Sequence, residues 1–234
     1  MPTKRILPDK DFEQIIIRTN RRIRNVTMRV KPDGLYVTVP PRSRSSEVIE
    51  WVNAYRESLL EKFEQVRKRP IDAEYRIDAP CFKLSLAPGR LSFFSIKVVD
   101  EAFTIYYPPQ TDFSSEDTQR LLRNAILRAL KKRAAQYLPP LLDELADMYH
   151  FTYKRVKITG SKSRWGSCSA TGSINLSCYL LLLPSHLIDY VLLHELCHTK
   201  EMNHGLEFWE ILNQVTGGLA KQLRKEMKNH RADF

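Results

Sequence analysis

Apolar and polar residues alternate through Val26, Met28 and Val30, and again through Leu35, Val37 and Val39. A period of two puts each trio on one face of a strand. Pro32-Asp33-Gly34 between them is a turn signal, so the two runs predict a hairpin with one apolar face. Pro40-Pro41 closes it. Ser45 or Ser46 then offers a capping hydroxyl. Val48, Val52, Tyr55, Leu59, Phe63 and Val66 follow at steps of four and three, which predicts one amphipathic helix. Cys81 to Leu86 and Phe93 to Val99 read as further strands. The phrase Gly34-Leu-Tyr-Val-Thr-Val-Pro-Pro is echoed by Ala102-Phe-Thr-Ile-Tyr-Tyr-Pro-Pro, and Ser-Ser-Glu and a helix follow each. The echo is either a duplicated hairpin–helix unit or a recurrence of common turn and cap chemistry.

From Glu116 the period lengthens. Leu121, Leu122, Ala125, Ile126 and Leu130 mark a helix, which Pro139-Pro140 should interrupt before a second piece reaches about Tyr149. Arg155 to Ile158 reads as a strand. Trp165 to Ser169 and Ser173 to Ser177 read as two short strands around Ala170-Thr-Gly172, and Pro184-Ser185 opens another helix. The expected fold class is α+β. A β-rich region with one helix should occupy residues 1–112, and a helical domain residues 113–234.

The chain has 234 residues, 43% hydrophobic and 27% charged, as expected of a soluble globular protein. Its longest apolar run, Tyr179 to Leu183, is far short of the roughly 18 residues that would span a membrane. The start, MPTKRILPDK, has no apolar stretch resembling a secretory signal, so a cytoplasmic location is expected. Four dispersed cysteines without a CxxC pair fit reduced, buried thiols. Of the net charge of +10, residues 1–44 supply +7, from 11 Lys and Arg against 4 Asp and Glu. Arg18, Arg21, Arg22, Arg24 and Arg29 crowd there. They form either a nucleic-acid surface or the solvated face of a hairpin.

The helix opened by Pro184-Ser185 carries His194-Glu195-Leu196-Cys197-His198, an HExxH pattern that a chain of this composition gives by chance about 0.01 times. Histidines at i and i+4 lie one above the other on a helix, so both imidazoles reach one ion. Glu195 sits one residue round, close enough to handle a water without ligating. Leu187, Ile188, Val191 and Leu192 give the site an apolar wall. A catalytic zinc takes three protein ligands. His204 is the preferred third, with Glu201 and Glu207 as rivals. For His204 to reach back, the helix must stop near Met202-Asn203, where Asn can adopt a left-handed cap. Nickel or cobalt would suit three imidazoles as well as zinc.

Trp165-Gly-Ser-Cys-Ser169, Gly172-x-Ile-x-Leu176, the Pro184 to Val191 lead-in, His194-Glu-Leu-Cys-His198 and Asn203-His204-x-x-x-Phe208-Trp209 together resemble the YgjP-like metallopeptidase-domain family. Those proteins are metal-dependent hydrolases of compact zincin type. His204-Gly205 with the following aromatic is also similar to SprT-like proteases. The resemblance implies a zincin fold, His204 as third ligand and a peptidase activity.

The expected chemistry is hydrolysis with one zinc ion, Glu195 being the general base. Arg164 is an oxyanion candidate or an ordinary surface arginine, and Trp165 is a cleft wall or a core residue. The Trp165 strand could take an extended peptide along its edge. Glu201, Glu207 or Asp189 could orient a ligand imidazole. Phe208 and Trp209 are spaced for packing with Leu212 and Val215. A protein or peptide substrate is expected. The alternatives are a small amide substrate, or a nucleic-acid-associated protein with a structural or vestigial metal site.

Overall fold

The computed structural model describes residues 4–31, 33–66, 70–232 and 234, with backbone alone for 65 and 66. Pro32 of the expected turn and the side chain of Val66 lie outside the described parts. The chain forms two compact units, Met1–Arg69 and Pro70–Phe234.

In the first unit, strands β1 (Lys4–Asp9), β2 (Glu13–Thr19), β3 (Thr27–Lys31) and β4 (Gly34–Val39) make a sheet in the order β1-β2-β4-β3. The expected hairpin is β3–β4, antiparallel, with Met28 opposite Val37 and Val30 opposite Leu35. Strands β1 and β2 lie outside the elements that the sequence pattern predicts. β2 is apolar on both faces at Ile15, Ile16 and Ile17, so it lacks the alternation that marks β3 and β4. Gly34 has φ +136, and a Cβ there would lie 2.5 Å from the Gln14 carbonyl oxygen, so neither backbone nor space admits a side chain.

The expected single helix is two, α1 (Ser45–Ala54) and α2 (Arg56–Val66). The chain breaks at Tyr55, which is exposed instead of buried. Arg44, not a serine, occupies the N-cap, and its N–H donates to the Glu47 carboxylate. Val48, Val52, Leu59 and Phe63 close over Phe12, Ile15, Ile17, Leu35, Val37 and Val39 as one core.

The second unit opens with β5 (Arg76–Ala79), β6 (Phe82–Pro88), β7 (Ser95–Val99) and β8 (Ala102–Tyr107), in the order β5-β6-β8-β7. This is the topology of the first sheet over again. The middle strands are parallel and the outer pairs antiparallel in both, and the register agrees. Leu35 pairs with Ile15 and Val30, and its counterpart Phe103 pairs with Leu84 and Val98. The echoed phrase is therefore a structural repeat of β4 in β8.

Helix α3 (Glu116–Met148) is continuous, although Pro139 and Pro140 were expected to break it. Ala134 and Leu138 before the prolines, and Leu142, Leu145 and Ala146 after them, are all buried in one core. That packing holds both halves in line, against about 3 kcal/mol for an interior proline. The same core takes in Phe82, Leu84, Phe103 and Ile105 from the second sheet. The expected division near residue 112 is therefore corrected to Arg69/Pro70: β5–β8 lie in one compact unit with the helical part.

β9 (Arg155–Thr159), β10 (Gly166–Cys168) and β11 (Ser173–Ser177) form a third sheet, ordered β10-β11-β9. A 3-10 turn, Cys178–Leu182, leads to α4 (Ser185–Cys197), α5 (Leu206–Val215) and α6 (Ala220–Met227). The fold is mixed α+β. No helix among the described residues is long and apolar enough to cross a membrane.

Candidate metal centre

Helix α4 is buried almost all round: Leu187, Ile188, Val191, Leu192 and Leu196 are core. Its last turn carries His194 and Glu195, and His198 caps it. The helix stops at Cys197, earlier than expected. The Thr199 N–H and hydroxyl both donate to the Leu196 carbonyl, and Lys200 and Glu201 N–H both donate to that of Cys197. Asn203 is absent from the positive-φ residues, so no left-handed cap forms there. The short turn brings His204 back instead.

His194, His198 and His204 each offer a nitrogen within 4.8 Å of the others. Nε2 of His194 and Nε2 of His204 face each other at 3.1 Å. Two nitrogens about 2.0–2.1 Å from one ion in a near-tetrahedral shell would stand about that far apart. His198 donates from Nδ1 to the Glu201 carbonyl at 3.0 Å, which fixes the tautomer and leaves Nε2 free to ligate. Glu201 thus contributes its backbone; its carboxylate accepts from the Asn203 N–H. Neither Glu201 nor Glu207 belongs to the cluster. Burial pushes His194 down to about 3, helped by the neighbouring His198, His204 and Arg224, so its imidazole is neutral, the form a metal needs. The site fits one small cation with imidazole preference.

Glu195 is buried, and burial raises its carboxyl to about 7 against opposing effects of the Arg164 charge and a hydrogen bond from the Cys168 N–H. Among the described residues its Oε2 is buried without a hydrogen-bond partner, as is Nδ1 of His194. Strand β10 presses directly on it: a Cβ on Gly166 would stand 2.6 Å from Glu195 Oε1. β10 is also the free edge of its sheet. Ser177 N–H donates to the Trp165 carbonyl and Ser169 N–H to that of Ser173, which turns the main-chain groups of Gly166 and Cys168 outward.

Arg164 is exposed and Trp165 half-buried. With Gly166, Ser167 and Asn175 they line a cavity of about 230 Å³. Asp189 is not at the imidazoles. Burial and Glu144 of α3 raise its carboxyl, and its charge is felt by Tyr137 of α3, so it belongs to the α3–α4 packing.

Three contributors escaped the sequence reading. Phe208 is core, as its spacing indicated, but its ring also lies 4.9, 4.5 and 4.7 Å from those of His194, His198 and His204. It is the floor of the site. Arg224 of α6 sits 4.9 Å over the Trp209 ring and acts electrostatically on His194 and His204. Gly166 is the third. Its place in the Trp165-Gly-Ser-Cys-Ser169 motif did not say why glycine is needed; the approach of Glu195 does.

Three convergent imidazoles beside a buried carboxyl, at the end of a helix facing a free strand edge, define a metal-centre protein of hydrolytic type. The chain belongs to the YgjP-like family, metallopeptidase domain, whose sequence model matches residues 24–230. No curated protein shows significant similarity to the chain. Among solved structures, the crystal structure of the metallopeptidase zymogen of Pyrococcus abyssi abylysin is similar at 28% identity, covering 39% of this chain and 93% of that one, with a TM-score of 0.36.

Proposed function

We propose that this protein is a zinc-dependent peptidase of the HExxH zincin type, acting in the cytoplasm on protein or peptide substrates. His194, His198 and His204 hold the ion and Glu195 is the general base. The observation that carries this reading is the convergence of three imidazole nitrogens beside a buried carboxyl with an unpaired oxygen. A structural site needs no base.

A divalent cation bound there supplies Lewis acidity, acidifying a water and polarising the scissile carbonyl. Glu195 takes the proton from the attacking water and delivers it to the leaving amine. Its elevated pKa suits both halves of that task. The outward main-chain groups of β10 other than the Cys168 N–H, which Glu195 engages, align an extended substrate, as an added strand, beside the carboxyl. Arg164 lies within electrostatic reach of Glu195 and is proposed to favour the tetrahedral oxyanion from that side. Phe208 excludes water from beneath the imidazoles.

Metal content and casein or peptide cleavage test the assignment in wild type, Glu195→Gln and His204→Ala. Glu195→Gln should keep one zinc and lose about 10²–10⁴ of the rate. His204→Ala should lose zinc. Cleavage by Glu195→Gln at the wild-type rate would overturn the reading.

A second reading, nucleic-acid contact, is favoured by one face of the first sheet. Lys4, Arg18, Arg29 and Lys31 lie on the face opposite the helices, by register with Ile16 and Tyr36. Arg18 and Lys31 sit 5.0 and 4.1 Å from the Tyr36 ring. Cations around an exposed-side aromatic suit a base stack along a phosphate chain. Binding of a labelled single-stranded oligonucleotide should weaken steeply with salt and with Arg18→Glu plus Arg29→Glu. Salt-independent binding would sink it.

A further inference from the structure

The repeated sheet is covered differently in its two copies. In the first unit α2 lies against β3, and Met28 and Val30 of β3 pack half-buried on the core containing Leu59 and Phe63. In the second unit the counterparts of Met28 and Val30 are Ile96 and Val98 of β7, by the matching pairs Met28–Val37 and Ile96–Ile105, and Val30–Leu35 and Val98–Phe103. These lie on the same face as the buried Phe103 and Ile105, yet they are 41% and 44% exposed. The chain explains why. After β8 the single helix α3 runs straight on toward β9, and among the described residues no second short helix follows it to return over β7.

What remains is a groove between β7 and the start of α3, with a volume of about 860 Å³. Its apolar lining includes Phe93, Phe94, Ile96, Leu121 and Ala125, of which Phe93 is 60% and Leu121 42% exposed. Arg120 and Arg128 stand at its rim with Asp117, which Arg120 engages at 2.6 Å, leaving Arg128 as the excess charge. A contiguous exposed apolar surface rimmed by charge marks an interaction site.

We propose that this groove docks an amphipathic helix of a partner protein, with large apolar residues four apart and acidic residues beside them. Helix α2 is the template. It places Leu59 and Phe63 over the equivalent strand, and it carries Glu57, Glu61 and Glu64 against Arg56 and Lys62, a net acidic helix. A partner helix of that kind would bury Ile96, Val98 and Leu121 as α2 buries Met28 and Val30, and set its carboxylates against Arg128. Helix-in-groove recognition of this sort reads apolar anchors at helical spacing. None of the residues lining this groove belongs to the metal centre, so the inference stands apart from the peptidase reading.

The test is fluorescence anisotropy on the full chain, using a labelled peptide of the α2 sequence, Arg56–Val66, extended at both ends by alanine-rich helical turns. Saturable binding is expected. Leu121→Glu and Ile96→Glu should each weaken it at least tenfold, while melting temperature and metal content stay unchanged because both positions are exposed. Arg128→Glu should weaken the peptide severalfold, and should instead favour a peptide in which Glu57, Glu61 and Glu64 are lysines. Absence of saturable binding, or binding indifferent to Leu121→Glu and Ile96→Glu, overturns the proposal. So does a dimer in sedimentation that Leu121→Glu abolishes, since a second copy would then be the occupant.

Discussion

Gly166 and Phe208 show how single residues set the chemistry of the site. A methyl group at Gly166 has nowhere to go but into the Glu195 carboxyl. Gly166→Ala should therefore cost about 1–3 kcal/mol of stability through overpacking and depress turnover with little loss of metal. Thermal melts, turnover and metal content measured together check this. Phe208→Ala removes a fully buried ring that touches three imidazoles. About 3–5 kcal/mol of stability should go with it, read from denaturant midpoints. The two titrations at the site oppose one another. His194, lowered to about 3, is buried neutral, so stability is lost as pH falls from its ordinary 6.5 toward 3. Glu195, raised to about 7, is buried protonated, so stability is lost as pH rises from 4.5 through 7. The metal-free protein should show a plateau between about pH 4.5 and 6.5, falling on both sides. Denaturation midpoints of chelated protein would show it, and added zinc should lift the alkaline limb by favouring the carboxylate.

At the scale of elements, legibility followed periodicity. β3 and β4 alternate cleanly, which predicts their hairpin; β2, with Ile15, Ile16 and Ile17 all buried, has no alternation to announce it. Helix α4 was legible because Pro184-Ser185 opens an apolar run that continues through Leu187, Ile188, Val191 and Leu192. The approach of His204 was not, because the helix ends at Cys197 through bonds from Thr199, Lys200 and Glu201 that no periodicity announces. The role of Glu201 came from its carbonyl, and every residue has one. α3 contradicted a local rule: its prolines are tolerated because flanking burial outweighs the lost bonds. Pro140→Ala should consequently stabilise the protein by about 1–3 kcal/mol, measured as a higher melting temperature with unchanged helix content.

For the molecule as a whole, composition pointed to the division of labour but not to its border. Residues 1–69 carry 16 Lys and Arg against 9 Asp and Glu, which is +7, and leave +3 of the total +10 for residues 70–234. The α/β switch near residue 112 looked like a border because secondary structure changes there. Compact units follow packing instead, and the second sheet shares its core with α3. Since His194, Glu195, His198, His204, Gly166 and Phe208 all lie in the second unit, a fragment of residues 70–234 should fold cooperatively and hold one metal. Circular dichroism melts and metal stoichiometry of that fragment check this. A molten or metal-free fragment would show that the first unit is required.

The three proposed ligands fall within the stretch from His194 to His204, and this short span has a kinetic meaning. Rings of so few residues close with little loss of chain entropy. Metal capture then demands the ordering of one turn, residues 199–205, and not of a distant loop. Removing the ion should accordingly leave the global fold standing while that turn frays, with amide exchange accelerating at Glu201, Asn203 and His204 and hardly at all in the core of α4. The ion would act as a local clasp, quick to fasten and quick to lose, and its residence time would be set by the turn.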